Sequence, residues 1–374
     1  MRDMTKRSCA IAWHPHHLEH LIPLCILLNA HLVVASERLE RIAAAVYPPV
    51  PTVRCAFASE TGRVLLEPQC RSILSEFDVI LYSHLLLRED LARIFGSLRD
   101  EPPRVVYCPH GLSEKPQRWS ALAAFQDIAL LHGTFSLDQL HNWGVAHHLG
   151  THLLTGHVVR RFYASIAPKL SNAFEAEIAF PRQLSKRPRR ILYTPTWNDR
   201  TGSSSFATII SMLLAGLSNG DQLLIKPHPL LAGEAIERLR KETEHANNII
   251  VVDPDPRTIP YLSWADVLIT DMSALAYDFL FLDKPMLFLN VAAGQRGDCA
   301  ETRLFECGPV LEPDQFGDLY RQLNCALEEN ERWREAKATL YSDAFCKTTD
   351  EDLCRSLLSL LADEAPAWMH IGQQ

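Results

Sequence analysis

The sequence predicts an α/β protein with two doubly wound domains, in which helices cover both faces of a mainly parallel sheet. Short apolar segments alternate with amphipathic segments of helical period in the first half of the chain, and the pattern restarts after residue 190. Between the halves, residues 181–190 (PRQLSKRPRR) are polar, basic and proline-bearing, which is typical of a linker. A length of 374 residues suits two domains of ordinary size.

The elements of the first half follow from their apolar patterns. Residues 9–13 (CAIAW) are a short apolar run, and Pro15 favours the first turn of the helix that follows. Turn-forming prolines precede the third strand. We predict strands at residues 9–13, 31–35, 52–58, 78–83, 104–109 and 128–131, and helices from residue 15 and at residues 37–46, 85–98, 135–142 and 160–178.

The second half repeats this alternation. Residues 266–270 and 286–289 are apolar and β-branched or leucine-rich, as buried parallel strands are. Ser273 is suited to cap the helix between them. We predict further strands from residues 190 and 222 and at residues 249–252 and 308–311, and further helices at residues 206–217, 234–244, 316–330, 333–341 and 350–362.

Composition excludes several classes of function. The net charge of −8 argues against a nucleic-acid partner and against a strongly basic membrane-binding face. A hydrophobic content of 47% is that of a soluble globular protein, and no run reaches the ~18 uncharged apolar residues of a spanning helix. The apolar run before His14 is too short for a secretory signal. Ten cysteines without a Cys-x-x-Cys pair indicate reduced thiols of a cytoplasmic protein.

The first strand-to-helix turn carries three candidate site residues, His14, His16 and His17. Parallel sheets bind ligands at the carboxyl ends of their strands, where this turn lies. Imidazole has an unperturbed pKa near neutral pH, which suits proton transfer. Histidines at a solvated helix start also need no ligand, so both interpretations stay open. No acidic or cysteine partner completes a set of metal ligands in this turn.

A second turn of this kind, His110-Gly111, follows the strand that ends at Pro109. Gly111 permits a close backbone approach or a positive φ. His110 is therefore a candidate site residue, and a purely structural turn is the alternative. Four later histidines could belong to the site or to a subunit contact, and the sequence does not decide between these roles: His147, His148, His152 and His157.

In the second half, Lys226 and His228 end a strand. Prolines on both sides of His228 hold its backbone extended, so the direction of the ring is largely preset. Lys226 lies two residues earlier, which places a cation on the same side of the extended chain. A fixed cation and a preset imidazole suit stabilisation of a phosphate during transfer. Thr194 and Thr196, at the end of another strand, could donate hydrogen bonds to phosphates or lie in a solvated loop.

The turn Thr270-Asp271-Met272-Ser273 is the strongest candidate for an anion site. It lies at the carboxyl end of a predicted strand and at a helix N-terminus, where backbone N–H groups attract an anion. Thr270 and Ser273 could add hydroxyl donors. Asp271 is expected to bond backbone amides or a sugar hydroxyl, because two anions in contact repel each other. The alternative is that this pattern only caps a core helix.

Residues 268–290 (LITDMSALAYDFLFLDKPMLFLN) resemble the signature of the CDP-glycerol glycerophosphotransferase family, roughly I-T-D-Y-S-S-x-x-F-D-F-x-x-x-x-K-P-I-x-F. Among the departures from it, Met272 replaces the Tyr and Ala274 replaces the second Ser. The second departure removes one phosphate-binding hydroxyl. The matching positions are Thr270, Asp271, Ser273, Asp278, Phe279, Lys284 and Pro285.

Three further segments resemble elements of the same family. Residues 193–197 (YTPTW) resemble its Y-A-P-T-W, and residues 226–229 (KPHP) resemble its basic-x-His-Pro element. In the first half, His110, Gly111 and Lys115 match its W-H-G-T-x-x-K, with proline and leucine in place of the Trp and the Thr. The resemblance is therefore denser in the second half of the chain.

The resemblance implies a glycosyltransferase-B-like architecture, with two Rossmann-like doubly wound domains facing a cleft and C-terminal helices crossing back. We expect an acceptor-side domain at residues 1–182 and a nucleotide-donor domain at residues 183–345. Residues 346–374 would form a helix that packs back on the first domain.

The resemblance also implies a reaction. The enzyme would transfer glycerol phosphate, or a related alditol or sugar phosphate, from a CDP-activated donor to a hydroxyl acceptor in teichoic-acid or capsule synthesis. His110 would take the acceptor proton, and His228 would act on the diphosphate. Other acceptor-side candidates are His14, His16, His17, Gly111 and Lys115. The donor would be held without a metal or another cofactor by Thr194, Thr196, Lys226, Thr270, Asp271, Ser273 and Asp278.

Two alternatives stay open. One is a nucleotide-sugar glycosyltransferase on the same scaffold, and the other is a catalytically silent scaffold that binds nucleotide or polymer. The expected partners are a nucleotide-activated donor and a polymer, lipid-linked or glycan acceptor. We expect a cytoplasmic protein, with peripheral association at the inner face of the cell membrane if the acceptor is membrane-bound. The sequence does not determine the nucleotide, the transferred group, the acceptor or the oligomeric state.

Overall fold

The computed structural model of the chain describes residues 7–55, 57–60, 63–66, 68–83, 103–114, 123–126, 128–178, 180, 188–197, 202, 204–231, 233–252, 255–291 and 302–362. The chain divides into two compact units. Unit 1 takes residues 1–110, 119–161 and 345–374, and unit 2 takes residues 111–118 and 162–344. Most of the expected linker, residues 181–187, lies outside the described residues, so the expected domain bounds stay a prediction.

The described strands of unit 1 are β1 (Ser8–Ala12), β2 (His31–Val34), β3 (Thr52–Arg54), β4 (Phe57–Glu60), β5 (Arg63–Leu66), β6 (Val79–Tyr82), β7 (Arg104–Tyr107), β8 (Ile128–Leu131) and β9 (Thr151–Leu154). Seven of them form one parallel sheet in the order β3-β2-β1-β6-β7-β8-β9. Strands β4 and β5 form a separate antiparallel hairpin. The strand order reverses direction between β1 and β6, where Ile11 pairs with Tyr82.

The described strands of unit 2 are β10 (Arg189–Thr194), β11 (Asp221–Ile225), β12 (Ile249–Val251), β13 (Val267–Thr270), β14 (Met286–Leu289) and β15 (Val310–Leu311). They form one parallel sheet in the order β12-β11-β10-β13-β14-β15. The order reverses between β10 and β13. Both sheets are therefore doubly wound, as the sequence predicts.

The α-helices of the described chain are α1 (Pro15–Leu28), α2 (Glu37–Val46), α3 (Pro68–Leu74), α4 (Thr134–Asn142), α5 (Val158–Glu177), α6 (Phe206–Ala215), α7 (Gly233–Thr243), α8 (Ile259–Trp264), α9 (Ala274–Phe279), α10 (Leu319–Glu328), α11 (Arg334–Ala344) and α12 (Asp350–Ala362). Short 3₁₀ helices cover Ala146–His148, Leu280–Leu282, Arg303–Cys307, Pro313–Asp318 and Asn330–Trp333. Among the described residues, none of these helices has the length and apolar character needed to cross a bilayer.

Each sheet is buried on both faces, which explains the continuous apolar runs of its central strands. In unit 2, Ile191, Leu223 and Ile269 are fully buried in one cluster with the helix residue Leu213. In unit 1, strands β1, β6 and β8 supply the corresponding core. The carboxyl ends of these strands therefore lie on a rigid base, and the turns that follow them hold the candidate site residues.

The C-terminal helix α12 belongs to unit 1 and packs against α1. The Sγ of Cys354 donates to the carbonyl oxygen of Leu27 at 3.6 Å. Leu353 and Leu357 on the same helix are fully buried. This arrangement confirms the returning helix that the family resemblance implied.

Several elements differ from the sequence prediction. The strand expected at residues 52–58 is interrupted, because β3 joins the parallel sheet and β4 turns into the hairpin with β5. The edge strand β9, which is partly exposed, was not predicted, because its sequence THLL has only two apolar residues. The helix expected at residues 85–98 lies outside the described residues.

Candidate active site

In unit 2, polar residues converge where the strand order reverses, at the carboxyl ends of β10 and β13. The register places Thr194 opposite Thr270. The Thr194 hydroxyl donates to the Thr270 hydroxyl at 3.0 Å, and the Thr270 hydroxyl donates to the Thr194 carbonyl at 2.9 Å. Both side chains are at most 1% exposed. Both hydroxyl hydrogens are thus engaged within this pair of residues, and donation from Thr194 or Thr270 to a phosphate stays a prediction.

Asp271 ties the turn after β13 to the segment after β10. Its Oδ1 accepts from the Thr196 backbone N–H at 2.9 Å, and its Oδ2 accepts from the N–H and the hydroxyl of Ser205 at 2.9 and 2.8 Å. The Tyr193 hydroxyl lies 2.8 Å from the same Ser205 oxygen. Burial, and then the Asp271 carboxylate, raise the pKa of Tyr193 well above its ordinary value. The expected bonds from Asp271 to backbone amides are present.

Ser273 caps α9 as its sequence position predicts. Its Oγ accepts from the Leu275 N–H at 3.4 Å, and its own N–H donates to the Asp271 carbonyl at 2.8 Å. Since the oxygen acts as acceptor in this cap, the hydroxyl hydrogen can donate to another group. Thr196 is buried nearby through the Asp271 bond, and Asp278 is buried on α9. Of the predicted hydroxyl donors, Ser273 has the geometry best suited to an anion.

Lys226 lies at the end of β11 and is only 5% exposed. Its Nζ donates to the Asp255 carbonyl at 2.7 Å and lies 5.2 Å from the centre of the Tyr261 ring. The Asp255 side chain accepts from Arg257 Nε at 2.8 Å and from the Tyr261 hydroxyl at 2.6 Å. Burial raises the pKa of Asp255, but the bonds and charge of Arg257 outweigh it and hold that pKa below its ordinary value. Lys226 thus belongs to a buried polar cluster.

Residues 253–255 of this segment also spell Asp-x-Asp, a pattern of some metal-dependent sugar transferases. Asp253 lies outside the described residues, and the Asp255 carboxylate is bound by Arg257 and Tyr261. No group of three or more His, Cys, Asp or Glu side chains is arranged to hold a metal ion in the portion of the chain described by the structure. The expectation that the reaction needs no metal stays a prediction.

His228 is partly exposed after β11, and its Nδ1 accepts from the Leu230 N–H at 3.1 Å. A neutral ring with Nδ1 as acceptor carries its proton on Nε2. The ring centre of Trp197, at the end of β10, lies 6.4 Å away. The flanking prolines and this bond fix the ring, so Nε2–H is presented as a hydrogen-bond donor.

In unit 1, His110 follows β7 and is exposed. Its Nδ1 lies 3.1 Å from the carbonyl oxygen of Ser83, the residue after β6. A carbonyl oxygen can only accept, so Nδ1 carries the proton and Nε2 holds the basic lone pair. A general base needs this tautomer, in which Nε2 can accept a proton. The bond from Nδ1 to the Ser83 carbonyl fixes the orientation of the ring.

The three histidines of the first turn lie beside His110. The ring centres of His16 and His17 lie 5.0 and 5.2 Å from that of His110. His14 and His16 are nearly parallel, with centres 5.4 Å apart. His17 is 1% exposed, and its Nδ1 accepts from the Trp13 N–H at 3.2 Å. The structure therefore brings together the acceptor-side histidines that the sequence proposed separately.

Three more histidines approach this group, and the sequence analysis did not assign them to it. His132 follows β8, His157 follows β9, and His20 lies on α1. Loss of hydration, and then the charges of His110, His132 and His157, lower the pKa of His20 well below its ordinary value. The strand-then-turn pattern His132-Gly133 was the sequence signal that could have placed His132 here.

The other late histidines lie apart from this group of contacts. His147 and His148 are exposed, with ring centres 3.9 Å apart. His152 is exposed on β9, whereas His157 stacks on Phe345 at 4.0 Å. The predicted run of four histidines therefore separates into exposed side chains and one buried residue.

The segment after His110 groups with unit 2, and it packs closely on α9. Gly111 has φ +129°, and a Cβ at this position would lie 2.9 Å from the Cβ of Ala274. The Glu114 carboxylate accepts from the Tyr277 hydroxyl, from the Thr302 hydroxyl and from the Arg303 N–H. The small residues at 111 and 274 thus permit this approach, while the matching Lys115 lies outside the described residues.

Two doubly wound units, each with polar side chains at the point where its strand order reverses, are the architecture of the glycosyltransferase-B-like fold. Residues 171–362 match the family described as CDP-Glycerol:Poly(glycerophosphate) glycerophosphotransferase. The match covers just over half of the chain. The chain therefore belongs to this family, and it is a transferase that takes a group from a nucleotide-activated donor.

Solved structures support the fold. The wall teichoic acid polymerase TagF has a TM-score of 0.60 at 13% identity, with 95% of this chain and 88% of that chain covered. UDP-GlcNAc 2-epimerase from Neisseria meningitidis, bound to UDP-GlcNAc, gives 0.59 at 13% identity, with 94% and 100% covered. Anabaena HepE in complex with UDP-glucose gives 0.57 at 12%, with 95% and 100% covered. No curated protein sequence matches the chain. These identities establish the shared fold alone.

Proposed function

We propose that the protein transfers glycerol phosphate, or a related alditol or sugar phosphate, from a CDP-activated donor to a hydroxyl group of a growing cell-surface polymer. Family membership supports the donor class and the transferred group. In this reaction the acceptor oxygen bonds to the phosphorus next to glycerol, and the bond from that phosphorus to the bridging oxygen breaks. CMP leaves, and the acceptor proton passes to a base.

The orientation of His110 is the observation that carries this proposal. The Ser83 carbonyl holds the Nδ1–H, so the basic Nε2 of an exposed ring can accept the acceptor proton. The same ring becomes the cation that offsets the charge developing at phosphorus. His110 is therefore the general base of the proposed reaction.

Unit 2 supplies the donor-binding residues. The Nε2–H of His228 and the hydroxyl of Ser273 are suited to donate to diphosphate oxygens. Lys226 contributes positive charge from its buried cluster. Asp271 shapes the site by holding Thr196 and Ser205. These contacts neutralise the diphosphate without a metal ion in our proposal.

The identity of the released nucleotide tests this function. Phosphate transfer releases a nucleoside monophosphate, whereas transfer of a sugar from a nucleotide sugar releases a nucleoside diphosphate. When the protein is incubated with CDP-glycerol and a short glycerol phosphate oligomer, we expect ³¹P NMR to show release of CMP. Incubation with UDP-glucose or UDP-GlcNAc should release no UDP. His110→Ala should abolish the release, and His148→Ala is the matched control on an exposed histidine of the same unit.

The other outcomes identify the alternatives. UDP release from a UDP-sugar contradicts the proposal and favours a nucleotide-sugar glycosyltransferase. Nucleotide binding without release from any donor favours a silent scaffold. A CDP-specific rise in melting temperature supports the donor assignment separately from turnover.

A further inference from the structure

The histidines of the first turn outnumber what a single general base requires. Four rings lie together here: those of His14, His16 and His17 in the first turn, and that of His110 after β7. Two of them have fixed tautomers, because His17 accepts a hydrogen bond from the Trp13 N–H and His110 donates one to the Ser83 carbonyl. The other two, His14 and His16, are partly exposed and nearly parallel, with ring centres 5.4 Å apart. This outer pair lies at the carboxyl end of β1, beside the point where the strand order of unit 1 reverses.

We infer that His14 and His16 form a binding subsite for the phosphate group nearest the end of the acceptor polymer. The inference rests on the proposed function, because it takes the acceptor to be a chain of phosphate esters. It assigns these two side chains to substrate recognition and leaves proton transfer to His110.

The spacing of the rings fits such an acceptor. The His16 ring centre lies 5.0 Å from that of His110. In a terminal glycerol phosphate, five bonds separate the phosphorus from the far hydroxyl oxygen, which is roughly 6 Å in an extended chain with bonds near 1.5 Å. A phosphate at His16 therefore places the terminal hydroxyl about one ring spacing away, within reach of the His110 imidazole. The same glycerol phosphate unit is then bound through its phosphate by His16 and loses its hydroxyl proton to His110.

Most of the titratable groups around the pair are imidazoles, which become cationic when protonated. From α1 itself, His17, His20 and the buried carboxyl group of Glu19 lie nearby, and the strand ends add His110, His132 and His157. The neighbouring helices α2 and α12 carry acids, but these are engaged in ion pairs: Glu37 and Glu40 with Arg54, Asp350 with Arg161, and Glu351 and Asp352 with Arg355.

The group thus contains many imidazoles and one buried carboxyl group. Lost hydration, and then the charges of neighbouring histidines, lower the pKa of His20, and protons added to rings this close together repel each other. A bound phosphate offsets that repulsion, so binding raises the pKa of the imidazoles that contact it. Affinity is then high below the ordinary histidine pKa and falls as the pH rises through the raised value.

Histidine is suited to bind an acceptor polymer that shifts by one unit after each transfer. After each transfer the new terminal glycerol phosphate has to take the place of the previous one in the subsite. Lysine or arginine would hold each phosphate with a permanent charge, whereas imidazole near neutral pH binds it reversibly. The pair therefore combines selection of a phosphate-bearing end with release after each step.

The test is a titration of the full-length protein, labelled with ¹³C at histidine Cε1, with sn-glycerol 3-phosphate. We expect the resonances of His14 and His16 to shift in a saturable way, with their pKa values raised and with affinity about 10-fold weaker at pH 8 than at pH 6.5. Glycerol, which lacks the phosphate, should cause no such shift. Unchanged His14 and His16 resonances in the wild-type protein overturn the inference without the need for any variant.

Variants extend the test to turnover. His14→Gln with His16→Gln should raise KM for a glycerol phosphate oligomer about 10-fold or more and leave kcat nearly unchanged, as expected for lost ground-state binding. The matched control is His147→Gln with His148→Gln, a pair of adjacent exposed histidines in the same unit. Equal KM values for the two double variants contradict the subsite.

The outcomes separate this inference from the proposed function. Saturable shifts at His14 and His16 together with no CMP release from CDP-glycerol support the subsite and reject the proposed reaction. CMP release with no phosphate-dependent shift supports the reaction and rejects the subsite.

Discussion

The carboxylate of Asp271 accepts hydrogen bonds from both the backbone N–H and the hydroxyl of Ser205, a residue 66 positions earlier in the chain. A third bond, from Thr196 N–H, completes the contact. These bonds join the turn after β13 to the segment that leads into α6. Asp271 therefore holds the turn after β13 against the segment that precedes α6.

Asp271→Asn should destabilise unit 2. The new amide group would place N–H hydrogens against donors, and a buried charged acceptor is lost, at a cost of about 2–4 kcal/mol. Urea unfolding followed by tryptophan fluorescence measures the change. Asp266→Asn is the control, because Asp266 is exposed and accepts a hydrogen bond from the Arg190 N–H, so this change should cost less than about 1 kcal/mol. Equal losses would contradict the central role of Asp271.

Ser273→Ala should weaken the binding of CDP-glycerol and leave folding nearly intact. One hydrogen bond to a charged phosphate corresponds to a loss of ~10- to 100-fold in affinity. Calorimetric titration measures it. Thr270→Val is the contrast, since its hydroxyl bonds to Thr194, so this change should lower stability and spare affinity. If Thr270→Val weakens the binding of CDP-glycerol and Ser273→Ala does not, Thr270 rather than Ser273 contacts the phosphate.

The losses of His110 and His228 should differ in kind. His110→Ala should lower turnover by ~100- to 10,000-fold with donor affinity unchanged, because a general base acts in the transition state. His228→Ala should weaken donor binding as well, because its contact with the diphosphate exists before the transition state. Single-turnover rates and donor titrations distinguish the two. Full activity of His110→Ala would shift the base assignment to His16 or His17.

Transfer should proceed without a divalent metal. His228, Ser273 and Lys226 supply the positive and polar groups that the diphosphate needs in the proposed site. Turnover measured after treatment with EDTA should match that of untreated enzyme. Activity that disappears with chelator and returns with Mg²⁺ or Mn²⁺ would reject this part of the proposal.

Acid should weaken unit 2 through Asp255. Its pKa in the folded protein lies below the ordinary value, so its contribution to stability is present above pH ~3.9 and is lost as the pH falls through the folded value. Urea midpoints between pH 5 and pH 3 should fall less steeply in Asp255→Asn than in the wild type. If the urea midpoints of the wild type and of Asp255→Asn fall equally steeply with pH, the contact between Asp255 and Arg257 does not cause the loss of stability in acid.

Local chemistry made part of this site predictable. Ser273 caps its helix, because that hydrogen bond is made within one turn. Asp271 bonds backbone amides, as the repulsion between two anions predicts, although the amides belong to residues far away in the sequence. Alternating apolar runs likewise predicted the two parallel sheets, since buried strands need apolar side chains on both faces.

The remainder depended on which strands become neighbours. Thr194 and Thr270 meet only because β10 and β13 are adjacent, and no sequence pattern states that order. The same holds for His20, His132 and His157, which approach His110 through the order of β1, β7, β8 and β9. The engagement of Lys226 with Asp255 depends on a loop conformation that propensities do not encode.

The C-terminal residues of unit 1 impose an order on biosynthesis. Phe345 stacks on His157, and α12 covers α1, yet the ribosome makes these residues only after the whole of unit 2. Domains generally fold as they emerge, so unit 2 can fold first while the apolar surface of α1 awaits its partner. A nascent chain that ends before residue 345 therefore holds a complete unit 2 and an incomplete unit 1. The stacking of His157 on Phe345 forms only after the residues of unit 2 have been translated.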